Sequence, residues 1–295
     1  MSDGAAVPDS KLRQAAAAAL EPIERGAGTL QPVWFTRERA IFRQAEPAPA
    51  LFVKVYQQAD QLEWEVAVMR RAAEAGVPVA PLVAFRAGPP AVLITEQVAG
   101  VPLSSAYPLA AEATGRLLRR FHALGAAPAF VDGSVSQQRW SGFIRDWAER
   151  EIAATLRHGA LAEDDARRLR RHFADLAPIL DQRPCALIHG DCQTEHVLID
   201  PASQRVNALL DFVDARPGDP LVDVAVLTLW DRALTPAVLR GDGGDDPDAP
   251  TLLPAYRLLR HLAAANWLVA NGAPEHASAH ERAVQQALAM KVPRR

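Results

Sequence analysis

Two aspartates, Asp191 and Asp211, each follow an apolar run in a way that could bring a carboxylate to a reacting centre. The segment IHGDCQTEHVLID (188–200) reads as a strand that breaks at His189-Gly190, delivers Asp191 into a loop and resumes as a second strand. In LLDFVDARPGDPLVDVAVL (209–227), Asp211 again closes an apolar strand and precedes a Gly-Asp-Pro turn. A strand-end acid can face a cleft, and if these strands pair, the two acids stand close together. Phosphoryl transfer asks little covalent chemistry of a protein. It needs one group to orient the attacking hydroxyl, and metal ligands to neutralise charge on the β- and γ-phosphates. Asp191 and Asp211 could divide those tasks. A serine hydrolase has no comparable support, because Ser104, Ser105 and Ser141 lack a His and Asp arranged for acyl transfer.

The elements that must carry these residues change in texture along the chain. After a short helix ending near Leu20, RAIFRQ (39–44) and ALFVKVY (50–56) alternate apolar with polar residues, and the spacing predicts a hairpin. From Asp60 to Ala75, Leu62, Val66, Met69 and Ala73 share one helical face, and Gly76 with Pro78 closes the segment. PLVAF (81–85) and AVLITEQV (91–98) read as two further strands, after which 100–102 is expected to be a linker between lobes. Helices are predicted over 110–124, 138–156 and 162–180. The strands CALIHG (185–190) and HVLID (196–200) are expected to pair, with RVNALLDF (205–212) following a turn at Pro201. GDGGDDPDAP (241–250) reads as an exposed acidic loop without regular structure.

The segment around Asp191 is similar to the His-x-Asp-(four residues)-Asn loop of the aminoglycoside phosphotransferase and choline kinase family, distant relatives of the protein kinases. Asp211-Phe212 resembles that family's metal-binding Asp, the likeness continues through Gly218-Asp219-Pro220 and Asp223, and Lys54 looks like its phosphate-contacting strand lysine. The resemblance runs from Phe52 to roughly Trp267 and is carried by short matches before Gly100 and by strong motifs after it. It implies a bilobal, protein-kinase-like α+β fold: a small sheet-bearing lobe over 1–99 that binds nucleotide, and a larger, mostly helical lobe over 100–295 with the catalytic loop. By the same resemblance Asp191 is the base or hydroxyl-orienting residue, Asp211 a magnesium ligand, and Lys54 a clamp on the phosphates of ATP or GTP. His196 stands where most of the family has a metal-binding Asn, as it does in some aminoglycoside and macrolide phosphotransferases, and is read as a metal-site residue. Helix geometry leaves Glu63 and Glu65 competing as the partner of Lys54; the family pattern selects Glu65. Backbone groups of Glu96 and Val98 match the segment that meets the adenine edge. Gly26-Ala27-Gly28-Thr29 could cover the phosphates, though it lacks the fuller glycine pattern. His189 is expected to brace the loop, and Asp219 and Asp223 to cap a helix and tie that loop down. Asp214 could tune the metal site or form a turn.

Bulk properties fit such a protein. The chain has 295 residues, 49% apolar and 23% charged, with a net charge of −3. That balance excludes a disordered chain and gives no basic excess for nucleic acid, since the Arg-rich run 167–172 is offset by Glu163, Asp164 and Asp165. Cys185 and Cys192 match neither a zinc pair nor a redox motif, and no apolar stretch reads as a signal peptide or membrane span, so a cytoplasmic protein is expected. The expected partners are a nucleotide and a small hydroxylated substrate. Asp242, Asp245, Asp246 and Asp248 could attract a cationic antibiotic such as an aminoglycoside, whereas Trp140, Trp147, Trp230 and Trp267 could line a pocket for a macrolide-like ligand. A sugar or amino-alcohol kinase is the next reading, and a nucleotide-binding pseudoenzyme that regulates a partner the one after it.

Overall fold

The computed structural model describes residues 10–23, 30–36, 39–125, 139–244 and 246–290. The chain divides into two compact units, one built from 1–103 with 194–215, the other from 104–193 with 216–295. Gly26 to Thr29, Gln138 and Asp245 lie outside the described residues, and with them the expected phosphate-covering loop. Among the described residues no helix is long and apolar enough to cross a membrane.

In the first unit, β1 (Leu30–Phe35), β2 (Arg39–Gln44), β3 (Leu51–Tyr56), β4 (Leu82–Arg86) and β5 (Ala91–Glu96) form an antiparallel sheet in the order β1-β2-β3-β5-β4. Alternation in β2 and β3 sends Ala40, Phe42, Val53 and Val55 to one face, where α1 (Ser10–Leu20) covers them with Leu12, Ala16 and Leu20. Lys54, between Val53 and Val55, must therefore point to the opposite face. There it meets α2 (Ala59–Glu74), whose buried stripe is Leu62, Glu65, Val66, Met69 and Ala72. Ala73, expected on that stripe, is exposed. The stripe is turned so that Glu65 is buried among its apolar neighbours, where Lys54 can satisfy it.

Residues 100–102 are not a bare linker. Val101–Pro102 forms β6, paired with β8 (Val197–Ile199), which pairs in turn with β9 (Val206–Leu209). The Asp200 carboxylate takes the amides of Ala202 and Ser203, closing the β8–β9 turn at Pro201.

The second unit holds α3 (Pro108–His122), α4 (Trp140–Arg157), α5 (Glu163–Asp175), α6 (Ala177–Leu180), α7 (Leu221–Leu227), α8 (Thr235–Asp242), α9 (Ala249–Ala270) and α10 (Pro274–Met290). The helix expected over 162–180 is two, because Pro178 lacks an amide hydrogen and is accommodated in the first turn of a new helix. The expected pairing of 185–190 with 196–200 does not form. Instead β7 (Ala186–Ile188) pairs with β10 (Arg216–Gly218). The reason lies just past β7, where the amides of His189 and Gly190 are taken by the carboxylate of the distant Asp223 at 2.7 and 2.8 Å, so the chain leaves the ladder instead of turning back on it.

The expected acidic loop is also corrected. α8 continues through Gly241 and Asp242, and α9 begins at Ala249. Gly241 is buried where α8 crosses α3 at Gly115. A Cβ on Gly241 would sit 2.0 Å from the Glu112 carbonyl oxygen, and one on Gly115 2.1 Å from that of Val238. What reads as loop composition is partly the absence of side chains that lets two helices touch.

Candidate active site

In the first unit, the Lys54 Nζ donates to Glu65 Oε1 and Asp211 Oδ1, both at 2.6 Å. Glu65 is 1% exposed, Lys54 15% and Asp211 28%, so the cluster opens outward from a fully buried acid to a partly accessible one. Glu63, on the same helix, is exposed. Burial pushes the Lys54 pKa down, but the Asp211 and Glu65 carboxylates outweigh it and hold the ammonium above its ordinary value. Burial also raises Glu65, opposed by Lys54 and by the Phe212 amide. Tyr56 is pushed up to about 12 by burial and by Glu65.

Asp211 adopts left-handed backbone angles, φ 65° and ψ 69°, unusual for a residue other than glycine. Its neighbours impose this: Leu210 donates its amide to the His196 carbonyl, Phe212 is fully buried, and Ala215 closes a 3₁₀ turn onto Phe212. The Trp64 indole donates to the Ala215 carbonyl at 2.6 Å, tying α2 to the segment after Asp211. Strain at this position is therefore held by surrounding bonds. His196 Nε2 lies 3.7 Å from Asp211 Oδ2, and its ring is partly exposed. A carboxylate oxygen is the donor a hard divalent cation prefers, and an imidazole nitrogen facing the same oxygen is a second donor of borderline kind. The pair fits a divalent ion anchored on Asp211. Glu96 ends β5 with its amide on the Pro81 carbonyl, the next amide, of Gln97, goes to Ala50, and Val98 is half-buried beyond them.

In the second unit, Asp191 is held by side chains that sequence reasoning did not find. The Gln193 amide donates to both carboxylate oxygens, at 2.9 and 3.1 Å, and the Arg260 guanidinium forms an ion pair with Oδ1. Gln193 lies two residues away and could have been suspected. Arg260, 69 residues on, carries no local signal. Behind the loop, Asp223 is fully buried and takes the amides of His189 and Gly190 and the His122 ring, the last at 2.8 Å. Burial works against its charge, yet these partners, His122 first, hold its pKa below the ordinary value. Burial also lowers His122, but hydrogen bonds to Asp223 and Asp242 outweigh it and raise the ring to about 9. Asp219 caps the Leu221 amide, grips Arg183 at 2.8 and 3.1 Å and accepts from the Tyr256 hydroxyl. His189 is fully buried and accepts the Asp191 amide at 3.4 Å.

The expected acceptor features disperse. Asp246 and Asp248 bind Arg183, and Asp242 faces His122 at 3.7 Å, so these acids are partnered internally. Trp140 stacks on Phe143 and donates to Tyr256, while Arg216 lies over the rings of Phe143 and Trp147. Trp230 and Trp267 are exposed, and Trp230 packs edge-on against His261 and His280.

The sequence model of the phosphotransferase enzyme family matches residues 23–253. No curated protein matches the chain. Among solved structures, the GDP and kanamycin complex of the aminoglycoside phosphotransferase APH(2″)-IIIa is similar at a TM-score of 0.71 with 16% identity, covering 95% of this chain and 99% of that one. The ternary complex of a thermostable mutant of APH(4)-Ia with AMP-PNP and hygromycin B gives 0.66 at 18%, covering 92% and 98%. APH(3″)-Id from Streptomyces rimosus gives 0.60 at 21%, covering 87% and 99%. At these identities the likeness establishes the fold, which is protein-kinase-like.

Proposed function

The chain belongs to the phosphotransferase enzyme family, and from that premise we propose that it moves the γ-phosphate of ATP or GTP to a hydroxyl of a small molecule. The observation that carries the reading is Lys54, charged and fixed between buried Glu65 and the left-handed Asp211. Lys54 would clasp the phosphates while Glu65 fixes its direction. Asp211, with His196 beside it, would hold a magnesium ion, which when bound neutralises charge on the β- and γ-phosphates. Glu96 and Val98 would offer backbone groups to the base. Asp191 orients the acceptor hydroxyl and takes its proton as the new O–P bond forms, while the bond from Pγ to the bridging oxygen breaks and a nucleoside diphosphate leaves.

The acceptors this reading admits are an antibiotic such as an aminoglycoside or a macrolide, and a metabolite such as a sugar or amino alcohol. The test is incubation of the purified protein with Mg-ATP or Mg-GTP and a panel of such compounds, with mass detection of an added phosphate. Asp191→Ala should lose transfer by roughly 10²- to 10⁴-fold while retaining nucleotide binding. Undiminished turnover removes Asp191 from the mechanism.

One observation favours a second reading, a nucleotide-binding pseudoenzyme acting on a partner: the Arg260 ion pair occupies the carboxylate assigned as base. Thermal stabilisation by Mg-ATP or Mg-GTP without any slow nucleotide hydrolysis would select it.

A further inference from the structure

Within the second unit, Asp191 meets a cationic residue of α9. Arg257, Arg260 and His261 fall on one face of α9, at spacings of three and four residues. Arg260 pairs with Asp191. Arg257 is 8% exposed, yet among the described residues its hydrogen bonds go to the neutral hydroxyls of Thr228 and Thr235, and its Nε meets no acceptor. A buried guanidinium with no carboxylate on it is costly, and such charges are ordinarily paired. Burial first, and Arg232 second, bring its pKa down to about 10. His261, one turn along α9 from Arg257, is held neutral by burial, by His280 and by Arg232, Arg257 and Arg260, its pKa lowered to about 3. Between Thr228 and Thr235 in the chain stands Trp230, 60% exposed, with His261 and His280 each 4.9 Å from its ring. The acids expected to attract a cation, Asp242, Asp246 and Asp248, are turned to His122 and Arg183 instead.

We infer that Arg257 and Arg260, with Trp230 as an aromatic wall, form an acceptor site for a hydroxylated small molecule bearing an anionic group, a carboxylate or a phosphate, and that the site disfavours polycations. This rests on the phosphotransferase reading only in calling the ligand an acceptor; the anion site stands on α9 and its neighbours. The anion supplies the counter-charge Arg257 lacks and competes with Asp191 for Arg260. Binding of the right acceptor thereby releases the carboxylate that orients its hydroxyl. An amino sugar brings a cation to a guanidinium pair and gains neither effect.

The test is calorimetric titration of the full chain with glucose, gluconate, a hexose phosphate and glucosamine, one hydroxylated skeleton carrying different charges. At least one of the two acids should bind tenfold or more tightly than glucose and glucosamine, a difference of about 1.4 kcal/mol. The preferred acid distinguishes a carboxylate site from a phosphate site. Arg260→Gln should abolish the preference without weakening Mg-ATP binding, and Arg260→Lys should recover part of it. Arg257→Gln should weaken binding of the preferred acid as well; Arg257→Lys, which keeps the charge and should retain part of that binding, covers the case in which Arg257→Gln does not fold. Preferential or equal binding of glucosamine, no binding by either acid, or an unchanged preference in Arg260→Gln overturns the inference. Mass detection of phosphate transfer separates it from the broader reading. Acid binding with no transfer to any acceptor leaves the anion site standing and counts against the phosphotransferase. Transfer favouring kanamycin or glucosamine supports the phosphotransferase and sinks the anion site.

Discussion

At the scale of residues, the balance of charge around Lys54 governs both stability and chemistry. One ammonium faces two carboxylates, and the deeper of these, Glu65, is compensated first by that ammonium and then by the Phe212 amide. Lys54→Met should therefore cost about 3 kcal/mol or more of unfolding free energy, because it strands a buried charge. The double variant Lys54→Met/Glu65→Gln should be more stable than Lys54→Met alone, as removing the stranded charge relieves part of the cost. Denaturant unfolding of Lys54→Met, Glu65→Gln and the double variant measures this. A double variant less stable than Lys54→Met would show that the Phe212 amide, and not the lysine, is the main compensation of Glu65. The same balance leaves Asp211 with a second oxygen toward His196, where an ion would add the missing positive charge.

At the scale of elements, the second unit rests on contacts that leave no slack. α3 and α8 meet backbone to backbone through Gly115 and Gly241, where even one added methyl overlaps a carbonyl oxygen. Gly115→Ala should cost about 1–3 kcal/mol, or more if the helices cannot part, and should lower the melting temperature measurably. An unchanged midpoint would mean the crossing can open at little cost. The distance matters to the loop of Asp191, because His122 on α3 is one of the groups that hold Asp223, and Asp223 binds the loop amides. Loosening α3 should therefore reduce transfer as well as stability.

At the scale of the whole molecule, histidines shape stability against pH from both sides. His122 has its folded pKa raised to about 9 from 6.5, so its contribution is complete below pH 6.5 and is lost as pH rises through about 9. His261 and His280 have folded values lowered to about 3 and about 4, first by burial, so their contribution is complete above pH 6.5 and is lost as pH falls toward those values. Their joint effect is a histidine contribution that peaks near pH 6.5. Thermal melting across buffers from about pH 5 to pH 10 should show the alkaline decline, and His122→Asn should flatten it while leaving the acid side in place. A parent protein with a level alkaline limb would rule out a charged His122.

Much of this was legible in the chain. Short-range patterns gave the hairpin of β2 and β3, the helix at 59–74 and the strand-end positions of Asp191 and Asp211, because alternation, helical periodicity and turn residues act over a few positions. The pairing of β7 with β10, the close crossing at Gly115 and Gly241 and the fate of the acids at 242, 246 and 248 were not legible. Each depends on a partner supplied by a distant segment: Asp223, α3, Arg183. The same holds for Arg260 and Arg257, which are two unremarkable arginines on a long helix until folding brings one to Asp191 and leaves the other buried beside hydroxyls. Residue types and local spacing thus determined which chemistry the chain could perform. Only tertiary structure decided which charges are neutralised internally and which remain to meet a ligand, because compensation of a buried charge depends on proximity in space and not on order along the chain.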